Sequence, residues 1–218
     1  MNRKYVGLLI MGLFGLTLAL PAAAAERSGA VTQWDFDVYL NNKKVGKHLF
    51  EVAESGSTRQ VRSEAKFKYT VLLIPAYRYE HTAAERWSDQ CLVEIDARTN
   101  ANGDRIQVSG ERTGAGFQVQ SDDVPVDLPD CVMTFAYWNR DFLEQSRLLN
   151  PQTGEFVDVT VEKVGDEMLE VRGQSVSATR FRLTAYEVDL TLWYSTNDEW
   201  LALESVAKGG HIIRYELS

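Results

Sequence analysis

The chain has 218 residues and a formal net charge of −8, with 44% of residues hydrophobic and 11% aromatic. That apolar share excludes a disordered chain, and the length suits one domain able to bury roughly 70% of its unfolded surface. The excess of acid and the lack of any basic stretch exclude nucleic acid and anionic membrane surfaces as partners, since both require clustered Lys and Arg.

In chain order the first feature is a leader. Arg3 and Lys4 precede an uncharged apolar run over 6–20, and Pro21 opens four consecutive alanines. A basic start, a short apolar middle and small residues flanking a cleavage point form the pattern of a secretory signal. The run falls short of the ~20 residues that a spanning helix needs. Residues 1–25 are therefore predicted to be removed, leaving one β-rich domain over 26–218 in the periplasm. No Cys follows the run to carry a lipid anchor, and no second long apolar segment follows it, so the mature product is expected to be soluble. In an oxidising compartment Cys91 and Cys131 most simply form one bridge, with two buried free thiols as the alternative. They are not a Cys-x-x-Cys pair, and without matching His spacing they make a poor zinc site.

Apolar and polar residues then alternate over 34–40, the mark of a strand with one buried face, and Asn41-Asn42 makes a two-residue hairpin turn into 45–53. The pattern repeats over 60–69, 77–87 and 91–97, and Asn102-Gly103 turns the chain into 105–111, with 117–120 following a Gly-bracketed turn. The centre differs. An acidic, Pro-containing loop spans 122–129, and Asp130 is placed to cap a helix with Cys131, Phe135 and Trp138 at helical spacing. That helix continues through 141–149 until Asn150-Pro151 stops it. Strands resume at 156–164, turn at Gly165-Asp166, and continue at 168–172, 175–184, 187–194, 200–208 and 211–217. The fold class is mainly β: a single curved antiparallel meander of about 11–13 strands, a half-barrel or barrel with one short helical insert. A β-sandwich is the alternative.

No catalytic constellation stands out. His48, His81 and His211 match no metal spacing, and Ser175 lies one glycine short of a nucleophile elbow and before a strand instead of a helix. Asp122, Asp123, Asp127 and Asp130 lack the ligand order of a calcium loop. No cofactor or metal is expected, and no catalytic residue is assigned. The informative stretch is 76–87. As one regular strand it places Tyr77, Tyr79, His81, Ala83, Glu85 and Trp87 on one face, with His81 and Glu85 ~13 Å apart. An aromatic face with a few polar handles reads as a cavity wall for a ligand, or as a half-buried wall whose ring tips reach water. Trp138 and Asn139, at the end of the insert, form the second candidate place, a lid or a plug.

Several runs together resemble a family of exported bacterial proteins catalogued as a domain of unknown function. They are Phe36-Asp37-Val38-Tyr39-Leu40 with Lys44-Val45-Gly46, Ala76-Tyr77-Arg78-Tyr79-x-His81, and Trp87-x-x-x-Cys91-Leu92-Val93. Ala136-Tyr137-Trp138-Asn139 and Leu148-Leu149-Asn150-Pro151-Gln152-Thr153-Gly154 complete the set. The resemblance covers nearly the whole mature chain. It implies a periplasmic antiparallel half-barrel, loosely similar to the one that carries lipoproteins, and brings no activity or catalytic residues with it.

The leading expectation is a non-enzymatic periplasmic protein that binds an apolar or amphipathic, lipid-like molecule in the concavity of its sheet, with Tyr77, Tyr79, His81, Glu85, Trp87, Trp138 and Asn139 as ligand-binding candidates. A structural or assembly factor that binds another envelope protein through an edge strand is the second. The third is an enzyme using His81 or Glu85.

Overall fold

Alternation of period two builds almost everything in the computed structural model, which describes residues 29–71, 74–121, 124–207 and 210–218. Eight strands run first: β1 (Ala30–Leu40), β2 (Lys43–Ser55), β3 (Thr58–Val71), β4 (Ile74–Ser88), β5 (Cys91–Ala101), β6 (Asp104–Thr113), β7 (Gly116–Ser121) and β8 (Val124–Leu128). After an insert with two short strands, β9 (Arg147–Leu149) and β10 (Phe156–Asp158), come β11 (Thr160–Val171), β12 (Gln174–Ala185), β13 (Val188–Ser195), β14 (Trp200–Ala207) and β15 (His211–Leu217). The predicted leader, Asp122, Asp123 and residues 208–209 lie outside the described residues.

Thirteen strands form one antiparallel sheet in the order β11-β12-β13-β14-β15-β1-β2-β3-β4-β5-β6-β7-β8. The first and last strands of the chain meet in its middle, where Phe36 pairs with Leu217 and Leu40 with Ile213. The sheet does not close: β8 and β11 are its two ends. This is a curved meander, the half-barrel that strand number and turn chemistry predict.

The hairpins obey local chemistry. Asn41 and Asn42 both take positive φ, 45° and 66°, and Asn102-Gly103 takes 56° and 104°, the left-handed pair that matches strand twist in a two-residue turn. Along β1, Trp34, Phe36 and Val38 are buried, while Asp35 and Asp37 point outward and pair with Lys47 and Lys44. The inward parity of β1 carries across the sheet, so that Phe36, His48, Ala65, His81 and Thr99 stand in one row over five strands.

The insert between β8 and β11 does not form the expected helix from Asp130 onward. Its one helical piece is a five-residue 3-10 turn, Arg140–Glu144, capped by Asn139, whose side chain accepts from the Asp141 N–H. The reason lies in what residues 131–134 bond to. Cys131 is bridged to Cys91, Leu92 N–H donates to Val132 C=O at 2.9 Å, and Leu149 N–H donates to Met133 C=O at 2.9 Å. With Thr134 bridging to Leu149 as well, this stretch is held extended against β5 and β9. Helical spacing of Cys131, Phe135 and Trp138 thus coincides with a disulfide-pinned extended run.

Two smaller expectations also change. The acidic loop contains β8, which pairs Val126 with Val119. Gly165 and Asp166 do not turn the chain; the register shifts there by a bulge inside β11, which the permissive backbone of glycine accommodates. The disulfide joins Cys91 and Cys131 with Cα atoms 4.9 Å apart. Among the described residues no helix is long and apolar enough to cross a membrane.

The insert fills much of the concavity. Val132, Met133, Phe135, Phe142, Leu148 and Leu149 join the same buried cluster as Phe36, Trp87, Leu92, Tyr194 and Trp200 from the wall. What stays empty is a cleft between insert and wall.

Candidate functional site

β4 supplies one side of that cleft through its inward residues, Tyr77, Tyr79, His81, Ala83 and Glu85. Exposure is greatest at Tyr77, 39%, falls to 4% at His81, and Glu85 is half-buried, so the widest opening lies at the Tyr77 end. β2 and β3 add His48, Phe50, Val61, Ser63 and Phe67, and the insert faces them with Thr134, Phe135, Ala136, Tyr137, Trp138 and the Asn150-Pro151-Gln152 turn. Val188, Leu190, Leu203, Ser205, Ile213 and Tyr215 close the far side, from β13, β14 and β15. The cavity has a volume of about 280 Å³.

The rings are stacked in order. Phe67 and Tyr79 are parallel at 5.2 Å, Phe67 meets Tyr215 edge-on at 6.1 Å, and His48 stacks on Phe50 at 4.1 Å. Polar atoms are tied down at the same time. The Tyr79 hydroxyl donates to Gln152 Oε1 at 2.8 Å, and the Thr99 hydroxyl donates to the Gln152 carbonyl at 3.3 Å. Having spent its one proton, Thr99 Oγ1 accepts from His81 Nδ1 at 3.0 Å, leaving His81 Nε2 as an acceptor. The turn holding Gln152 is anchored by Gly154 (φ +78°), where a Cβ would lie 2.6 Å from the Ser121 side chain, so this position needs glycine on both counts.

Burial dominates the electrostatics. It lowers His81 to about 4 and His48 to about 3, the latter helped by the neighbouring His81. It raises the phenols of Tyr79, Tyr137 and Tyr215. Burial also lifts Glu85 to about 7, against the opposing hydrogen bonds from Trp87 and Thr134. Glu85 lines the cavity and is half-buried. At neutral pH the wall therefore carries neutral imidazoles, neutral phenols and one carboxyl poised between its two forms.

One pair has the spacing of a nucleophile and its base: His48 Nε2 lies 2.7 Å from Ser63 Oγ. The rest of that chemistry is missing from its surroundings. The third group is the Tyr215 hydroxyl at 3.4 Å instead of a carboxylate, and burial makes His48 a weak base. Ser63 sits in a central strand paired on both sides, so its backbone is committed to the ladder.

Of the residues singled out in the sequence, Tyr77, Tyr79, His81, Glu85 and Trp138 come together here. Trp87 and Asn139 do not line the cavity. Trp87 is 0% exposed and packed under the insert beyond Glu85, edge-on to Trp138 at 5.4 Å, with its indole N–H donating to Glu85 Oε2 at 2.9 Å. Asn139 is spent as the helix cap and on Gln90. His48, Ser63, Tyr137, Gln152 and Tyr215 were not anticipated. His48 was readable from parity, since it shares the inward face of β2 with Phe50 and Val52.

The sequence profile of a family described as a domain of unknown function (DUF6134) matches residues 36–218. No curated protein matches the chain. Among solved structures, a β-barrel-like protein of domain of unknown function DUF1849 from Brucella abortus is similar, with a TM-score of 0.60 over 88% of this chain and 97% of that one. At 9% identity the likeness is one of fold.

Proposed function

The chain belongs to DUF6134, a family described as a domain of unknown function, and from its cavity we propose an exported, periplasmic, non-enzymatic carrier of one apolar or amphipathic, lipid-like molecule. The observation that supports this is the shape and lining of the cleft. It follows alternate residues of β4 from Tyr77 to Glu85, eight residues of extended chain or roughly 26 Å. A volume of about 280 Å³ drawn out over that length makes a narrow channel. It sits at the small end of ligand sites, which run to roughly 300–1,000 Å³. One extended chain fits such a space; a lipid with several chains does not, because the insert occupies the rest of the concavity. Aromatic and aliphatic walls with tied-down polar atoms suit binding without turnover.

Native mass spectrometry of gently purified protein tests this. The expected result is a discrete adduct above the mass of a chain starting at Glu26, lost in Ala83→Trp, which fills the middle of the channel. A bare mass, together with no uptake of 1-dodecanol from solution, rejects the carrier. An alternative, a factor that binds another envelope protein through a sheet edge, is favoured by β8. Among the described residues that strand pairs with β7 alone, leaving Val124 and Val126 at 69% and 51% exposure. Reproducible cross-linking of one envelope protein from position 126, without any lipid adduct, would support it.

A further inference from the structure

Glu85 differs in kind from the wall it occupies. Its row across the sheet reads Val52, Val61, Glu85, Ile95, and the three aliphatic members are almost fully buried. A carboxyl in such a row costs stability that an aliphatic residue would not, unless something compensates its charge. Its bonded partners are both neutral, the Trp87 indole N–H at 2.9 Å and the Thr134 hydroxyl. Among the described residues no Lys or Arg is ion-paired with it. Arg59 of β3, opposite Trp87, lies over the Trp138 ring at 5.5 Å and reaches Glu54 at 3.8 Å, and it does not line the cavity.

Two of its surroundings point to the missing partner. The carboxyl faces the cleft at the end remote from Tyr77, so a molecule lying along β4 brings one terminus to it. Opposite, the insert presents the rings of Phe135, Tyr137 and Trp138. A carboxylate combined with aromatic faces, away from water, is the environment that attracts an organic cation. Resting on the carrier reading, we infer that the ligand is an ammonium-headed amphiphile, its cation against Glu85 and the rings of the insert, its apolar chain along β4 toward Tyr77. The neutral state of His48 and His81 keeps the remainder of the channel free of competing positive charge. A cation at Glu85 also stabilises the ionised carboxyl, which burial alone disfavours.

Three probes with one chain and different heads test the head group: dodecylamine, 1-dodecanol and dodecanoate, titrated at pH 8 into the exported protein and its Glu85→Gln variant. Gln keeps an acceptor for the Trp87 indole while removing the charge. In the parent protein the amine is expected to bind at least roughly tenfold more tightly than the alcohol, and dodecanoate most weakly. In Glu85→Gln the amine advantage is expected to vanish while the alcohol binds as before. If alcohol or dodecanoate matches the amine in the parent protein, or if the preference survives in Glu85→Gln, the head-group inference is overturned and the carrier stands. If none of the three binds either protein, the carrier reading itself fails. Should Glu85→Gln not fold, the ranking of the three heads on the parent protein decides alone.

Discussion

His48 and Glu85 face the same cleft and answer burial in opposite directions, because burial favours whichever form is uncharged. For the histidines that form is the free base, so their stabilising contribution is present above the ordinary imidazole range and is lost as pH falls toward about 4 for His81 and about 3 for His48. For Glu85 it is the acid. With an ordinary value of 4.5 and a folded value of about 7, the folded state holds the proton more tightly than the unfolded chain. Its contribution is intact below pH 4.5 and is lost as pH rises through about 7, a swing of about 3 kcal/mol. Glu85→Gln lacks that swing but keeps both histidines, so the histidine contributions cancel in the comparison. The stability of the parent protein minus that of Glu85→Gln, from urea midpoints, should therefore fall by about 3 kcal/mol from pH 4.5 to above 7. A difference that stays level across this range would show that the carboxyl is not held in an apolar wall. At this scale the sequence disclosed one side of the site only. Parity along one strand brings Tyr77, Tyr79, His81 and Glu85 to one face. Ser63 and Tyr215 belong to other strands, and only sheet order places those strands in register.

The insert decides whether the curved sheet is an open trough or a wall with a narrow channel, and a single covalent link pins its start. Cys131 is held to Cys91 at the head of β5, and Val132 and Met133 are then bonded to β5 and β9. The bridge spans 40 residues, which include β6, β7 and β8, so closing that loop removes much freedom from the unfolded chain. Reduction, or Cys91→Ser with Cys131→Ser, is expected to cost up to about 4 kcal/mol on loop-closure grounds. A denaturant midpoint unchanged by reductant would contradict this. The channel should loosen with it, since Thr134, Phe135 and Trp138 follow directly on the pinned segment. Elements such as β1 and β2 were legible because alternation and Asn41-Asn42 act within a dozen residues. The false helix arose because the spacing of Cys131, Phe135 and Trp138 says nothing about which backbone groups the disulfide will commit elsewhere. Gly165 misled in a related way, since a bulge and a turn both draw on glycine, and only the continuing pairing of β11 with β12 tells them apart.

Across the whole molecule, the sheet is a plain meander whose chain starts in its middle. Every strand of the large sheet pairs with its sequence neighbours except at the seam between β1 and β15. There the contacts join the two ends of the chain: Asn41 Oδ1 accepts from Ile212 N–H at 3.0 Å across 171 residues, and Ser218 N–H donates to Asp35 C=O at 2.8 Å. Closing so long a loop is the entropic step that slows a β fold. A circular permutant removes it. Joining 218 to 29 through a short linker, with new ends between Asp158 and Val159, makes β15 and β1 consecutive and leaves the insert attached to β8 and to its disulfide. Every pairing in the large sheet is then between consecutive strands. Shortening the Asn41–Ile212 contact from 171 residues to about twenty is about three halvings, worth about 2 kcal/mol of closure entropy. If the seam forms before the folding barrier, the permutant should refold faster by roughly tenfold or more while melting within several degrees of the parent. Stopped-flow tryptophan fluorescence can follow this, because Trp34 and Trp200 lie in the buried cluster at the seam, where Phe36 packs on Trp200 at 4.2 Å. A refolding rate equal to that of the parent would place the pairing of β1 with β15 after the barrier, and the gain would then appear as slower unfolding.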